Sequence, residues 1–182
     1  MILHYFKKKE NKHKKEVFLL YKETIEIVKK IVSHTDKKRK KDFNLTFEII
    51  TILLFSIFYA IKNKNNLNLL NYKDFDKQDL MDIFITDIDH SLRLSGIGDT
   101  SIGKHVKLYV KKFYFRVSEL EILLGINSFN YLNFNQYLLK YNIILDTTGN
   151  FTSKSIFFKF KKLIDRCVDK KINISIYDDL FK

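Results

Sequence analysis

With 182 residues and a hydrophobic fraction of 46%, the chain is long enough to bury a core of its own, as one domain or one domain with a tail. No Pro, no Trp and only five Gly argue against a turn-rich β fold, and a single cysteine, Cys167, excludes an internal disulfide and reads as a small buried hydrophobe. The formal net charge of +12 draws nucleic acid, anionic lipid and acidic partners alike, and does not choose among them.

The opening residues MILHYF place apolar side chains ahead of the lysines, the reverse of a secretory signal, so export is not expected. Residues 7–15, KKKENKHKK, have no apolar period. They read as part of a basic leader over residues 1–16, either a solvated tail or an electrostatic contact to lipid headgroups or ribosomal RNA. A helical domain is expected from residue 17 to residue 182, its weakest internal connection being the Asn-rich stretch 62–77, with a short apolar turn at 67–70. Val17, Leu20, Tyr21, Thr24, Val28, Ile31 and Val32 mark a first amphipathic helix, which Asp36 and the basic run 37–41 end. The second helix, about 44–61, is apolar nearly all round, as the centre of a bundle requires. A membrane span and a groove or membrane-surface contact are its other readings; Glu48, Thr46, Thr51 and Ser56 weigh against the span.

In the third helix Leu80, Phe84, Ile88 and Leu92, with Met81 and Ile85 beside them, recur at the spacing of one buried face. Gly96 and Gly98 stop it, and Asp99 or Thr100 can cap the next. That fourth helix carries Ile102, Val106, Tyr109, Phe113, Val117, Leu120 and Leu124 on its apolar stripe and Lys104, Lys107 and Lys111 opposite. Asp87 and Arg116 project toward the apolar sides of the two helices, which predicts an ion pair between them; Asp89 and Arg93 form an exposed i, i+4 pair. Gly125 and NSFNYLN break the pattern. A helix over about 135–145 follows, then a turn at TTGN. The last helix starts near Thr152, with Thr152 or Ser153 as cap and Ile156, Phe157, Phe160, Leu163, Ile164 and Cys167 on one side. The tail ISIYDDLF is a final helical turn or a frayed end. The expected fold is all-α, a single-domain helical bundle of about six to seven helices with a central helix–Gly turn–helix hairpin.

Catalytic chemistry finds little purchase. The run GDTSIGKH at 98–105 approaches a phosphate loop, but His105 stands where a hydroxyl must hold magnesium, and an amphipathic helix rather than a strand precedes it. Gly103 is better read as a close contact between two helices. Asp74, Asp76, Asp79, Asp82, Asp87 and Asp89 form an acidic zone, yet Asp87 and Asp89, two apart on a helix, point to different sides. His4, His13, His34, His90 and His105 have no metal-ligand spacing. No metal site, no cofactor, no small-molecule substrate and no enzymatic activity are expected. Tyr109, Phe113, Tyr114 and Phe115 among Lys111, Lys112 and Arg116 superficially form an RNA platform, but Tyr109 and Phe113 lie on the core stripe. Only Tyr114 and Phe115 project elsewhere, as flank packing or partner contacts.

The set Asp87, Asp89, Leu92, Arg93, Gly96, Gly98, Asp99, Gly103, Lys104, Lys107, Phe113, Tyr114 and Arg116 resembles the core motif of the ubiquinol-cytochrome c chaperone family, assembly factors for cytochrome b of respiratory complex III. Weaker likeness covers Leu20, Tyr21, Ile25 and 43–54 upstream, and 135–142 and 155–164 downstream. The chain departs from the family pattern by lacking a Pro-containing segment between the first two helices, and by Leu94 and Phe115 where a Glu and a Gly are usual. The resemblance implies a chaperone that holds newly made cytochrome b, peripheral to the inner membrane on the cytoplasmic side in a bacterium or on the matrix side in an organelle. It also implies a second small assembly factor and the ribosome as partners, and marks the motif residues other than Leu92 as candidate partner contacts. The alternative from another class is a small basic helical module that binds RNA or DNA.

Overall fold

The computed structural model describes residues 2–33, 42–64, 77–125, 130–143 and 152–168, and every element among them is a helix. In chain order these are α1 (Ile2–Ser33), α2 (Phe43–Lys64), α3 (Lys77–Leu94), α4 (Asp99–Gly125), α5 (Tyr131–Lys140) and α6 (Ser153–Val168). The all-α expectation holds. The apolar turn at 67–70, the TTGN turn and the ISIYDDLF tail lie outside the described residues.

The boundaries differ from the expected ones where helix propensity and capping outweigh the apolar period. α1 takes in the basic leader, which was expected as a separate tail; its Lys and Glu residues are good helix formers and need no apolar period to continue a helix already anchored downstream. α5 begins at Tyr131 rather than near 135, because the Asn130 side chain accepts the Asn133 N–H and caps the helix there. It ends before 145, because Asn142 turns into the left-handed region (φ 55°). The N–H of Asn142 then reaches the Leu139 carbonyl and that of Ile143 reaches Leu138, the paired closing bonds of a Schellman end, with Leu138 and Ile143 both buried. α6 starts as expected: Thr152 accepts the Ser155 N–H on its hydroxyl and the Ile156 N–H on its carbonyl.

The chain clusters into two compact units, and α1 and α4 each contribute to both. The first comprises residues 1–22 and 69–115. Its buried side chains include Val17 and Tyr21 of α1, Leu80, Met81, Phe84, Ile88 and Leu92 of α3, and Ile102, Tyr109 and Phe113 of α4. These are the stripes the spacing marks. Phe84 and Phe113 meet at 5.1 Å between ring centroids, both almost wholly buried, and each such burial is worth about 1.5–3 kcal/mol.

The second unit comprises residues 23–68 and 116–182 and is organised around α2. Leu45 and every residue from Phe47 to Ile57 are buried, so α2 is the core helix that its composition predicts. Its buried hydroxyls are satisfied within the helix, Thr51 by the Phe47 carbonyl and Ser56 by that of Ile52. Thr24, Ile27, Val28, Ile31 and Val32 of α1 are buried in the same unit. Phe55 meets Phe160 of α6, and Phe134 of α5 meets both Phe157 and Phe160, forming one aromatic cluster. Among the described residues, no helix is long and apolar enough to cross a membrane.

Candidate partner-binding hairpin

The α3–α4 turn is built from a glycine the sequence places well. Gly96 has φ 92°, a backbone state that costs a residue with a Cβ about 1–2 kcal/mol. Its N–H bonds the Arg93 carbonyl and the Ile97 N–H bonds that of Leu92, so α3 ends in a Schellman motif. Gly98 supplies the carbonyl that accepts the first α4 bond, from Ile102, which makes it the cap position in place of the expected Asp99 or Thr100. Asp99 is instead the first helical residue, and its carboxylate takes Arg93. Arg93 also holds Asp89 at 2.6 Å, the expected i, i+4 pair. Its bonds to Asp89 and then to Asp99 raise the Arg93 pKa above its ordinary value. One guanidinium therefore ties the last turns of α3 to the first turn of α4, in an exposed setting where such pairs are individually weak.

The expected Asp87–Arg116 ion pair is corrected, because each member takes another partner. Asp87 accepts the Tyr21 hydroxyl at 2.7 Å; burial, then the charge of Asp87 and its bond, push the Tyr21 pKa upward. Arg116 is bound by Glu48 of α2 through Nε at 3.0 and 3.3 Å and Nη2 at 3.1 Å, with both side chains nearly buried. The physical reason is the position of Glu48. It is the one carboxylate in the buried run of α2 and has greater need of a cation than half-exposed Asp87. A lone acid inside an otherwise apolar helix was a signal available in the sequence.

Around that pair lies a network that the spacing alone does not reveal. The Arg116 guanidinium sits over the Tyr141 ring at 3.4 Å. Glu119 accepts from both Lys140 and the Tyr141 hydroxyl. Burial raises the Glu119 pKa, but the bonds from Lys140 and Tyr141 outweigh it and hold the carboxyl below its ordinary 4.5. The Tyr137 hydroxyl is buried with no hydrogen-bond partner among the described residues, and burial followed by the Glu48 charge pushes its pKa upward.

The motif residues thus sort by environment. Phe113 is core and Asp87 is half-buried, so neither presents a free contact surface. Arg116 serves the interior of the second unit. Arg93, Gly96, Gly98, Asp99, Gly103, Lys104, Lys107 and Tyr114 are exposed. Gly103 is not the tight helix–helix contact expected: among the described residues, a Cβ there meets nothing within 4 Å. Leu94 is 77% exposed beside the turn, and Leu108, Tyr114 and Phe115 are exposed along α4. Residues 99–105 are helical, so the phosphate-loop likeness forms no loop that could wrap a phosphate. His105 Nδ1 donates to the Ser101 carbonyl within that helix. Among the described residues, no group of three or more His, Cys, Asp or Glu could hold a metal ion.

Comparison with known proteins agrees with the motif. The sequence model of the ubiquinol-cytochrome C chaperone family matches residues 38–127, close to half of the chain, including α2, α3 and α4. No curated protein and no solved structure matches the chain.

Proposed function

We propose, from the premise that residues 38–127 place this chain in the ubiquinol-cytochrome C chaperone family, that it assists early assembly of respiratory complex III by holding newly made cytochrome b beside the membrane. The family match carries the reading. The hairpin, α3 and α4, lies wholly within the matched residues, and its turn displays Leu94 next to the Arg93–Asp89–Asp99 cluster. An unassembled membrane protein presents apolar helix faces, and an exposed leucine beside a charge cluster held in place by its own ion pairs suits a reversible contact with them. A second small assembly factor and the ribosome belong to the same proposal as partners.

The test is mild crosslinking and affinity purification of the tagged full chain from membranes of its native host, beside Leu94→Ser. Leu94 is almost fully exposed, so the variant leaves the core untouched. Cytochrome b recovered with the parent chain and depleted with the variant supports the reading. Nucleic acid recovered alone, and released by salt, refutes it in favour of a nucleic-acid-binding module.

A further inference from the structure

Beyond client binding, the outer face of α4 in the first unit has its own composition. At 100° per residue, Lys104, Leu108, Lys111 and Phe115 fall within about 60° of arc, and Lys107 and Tyr114 border that arc on one side. All six are exposed, Leu108 at 47%, Tyr114 at 57% and Phe115 at 56%, while Ile102, Tyr109 and Phe113 fill the core from the far side. The helix is therefore apolar on both faces, with lysines interleaved only on the outer one.

The charges on this face are costly in isolation. From residue 100 to residue 118 the sequence contains no Asp or Glu. Lys104, Lys107 and Lys111 follow one another at steps of three and four, the spacing at which like charges repel along a helix. Among the described residues none of the three has an ion-pair partner, whereas neighbouring Lys112 lies over the Tyr109 ring at 4.6 Å. An external anionic surface offsets all of these costs at once.

We infer that this face docks on an anionic phospholipid bilayer, with Lys104, Lys107 and Lys111 among the headgroups and Leu108, Tyr114 and Phe115 seated at the headgroup–acyl boundary. A helix lying in the interface plane needs this pairing of apolar side chains with flanking lysines on one face. Single-stranded nucleic acid calls for aromatic rings presented in a groove or on a sheet, and a convex helix centred on a leucine offers neither. The inference does not depend on the cytochrome b reading, because a pure lipid vesicle contains no protein client.

The experiment is co-sedimentation of the full chain with vesicles of phosphatidylcholine alone and vesicles containing phosphatidylglycerol. The parent chain is compared with Lys104→Gln, Lys107→Gln, Lys111→Gln and with a control of equal charge change on α6, Lys154→Gln, Lys161→Gln, Lys162→Gln, all exposed positions. Circular dichroism confirms that both variants keep the parent's helix content. Each lysine at an anionic surface contributes about fivefold, so the α4 variant loses partitioning onto phosphatidylglycerol vesicles by on the order of a hundredfold. The α6 control changes by no more than a few-fold. Leu108→Ser, Phe115→Ser weakens binding to the same vesicles without altering charge. Equal losses in the two lysine variants reduce the effect to net charge and overturn the inference. So does unchanged binding of the Leu108, Phe115 variant, or binding to ribosomal RNA through the same lysines with none to vesicles.

Discussion

Arg116→Met tests the central correction in this fold. Arg116 gives Glu48 three N–H···O contacts between 3.0 and 3.3 Å, and the two side chains are only 13% and 9% exposed. An exposed pair is worth at most about 1 kcal/mol. Removing one member of a buried pair leaves the other charged and desolvated, which costs about 3–5 kcal/mol. The Arg116 pKa is lowered by burial but raised more by the bond to Glu48 and its charge, so the guanidinium stays charged across the accessible pH range. Urea unfolding followed by circular dichroism measures the loss as a fall in midpoint at constant slope. The double variant Glu48→Leu, Arg116→Met removes both charges and should recover to within about 1 kcal/mol of the parent, since apolar replacement of a whole buried pair is often neutral. Should the single variant leave the chain largely unfolded, Arg116→Lys keeps the charge but loses the two-pronged geometry and shows a smaller loss. A single-variant cost below about 1 kcal/mol, or a double variant no better than the two singles added, refutes the buried pairing.

Three further predictions concern backbone and pH. Gly96→Ala should destabilise by about 1–2 kcal/mol, because open space surrounds the position and the whole penalty is its positive φ. Gly103→Ala, helical and equally uncrowded, should stabilise by about 0.5–1 kcal/mol in the same urea unfolding, and a loss there restores the close-contact reading. Glu119 has a folded-state pKa below its ordinary 4.5, so its stabilising contribution is present above that value and disappears as pH falls through the folded pKa. Glu119→Gln should therefore lower stability at neutral pH and flatten the acid limb of a stability–pH profile; an unchanged acid limb contradicts the assignment.

What the sequence discloses here is whatever depends on neighbours along the chain. The α3 stripe, the Gly96 stop, the Arg93–Asp89 pair and the Thr152 cap all follow from spacings of one to four residues. The α2 core follows from apolar content alone. Partner choice across the fold does not: the Asp87–Arg116 expectation correctly finds two inward-facing charges but assigns them to each other, and the hydroxyl and the carboxylate that they bind instead, Tyr21 and Glu48, lie 66 and 68 residues away in sequence. The α5 start was obscured by an excess of asparagines, since any of several in NSFNYLN could cap a helix and only packing selects Asn130. Gly103 misleads because a small residue in a helix often marks close packing, whereas among the described residues nothing approaches it. The exposed side of the hairpin was half legible: Tyr114 and Phe115 were seen to leave the core stripe, while Leu94 and Leu108 drew no notice as contacts because single exposed leucines are common.

The burial of α2 has a consequence for how this protein is made. Phe55 finds Phe160 about a hundred residues further along the chain, so the contact cannot close until α6 has left the ribosome. Until then an unbroken apolar helix stands without its cover, much as the transmembrane segments of an unassembled respiratory subunit do. During its own synthesis, then, the chain passes through the same exposed condition as the client proposed for it, and versions truncated ahead of α6 should aggregate rather than persist as smaller folded domains.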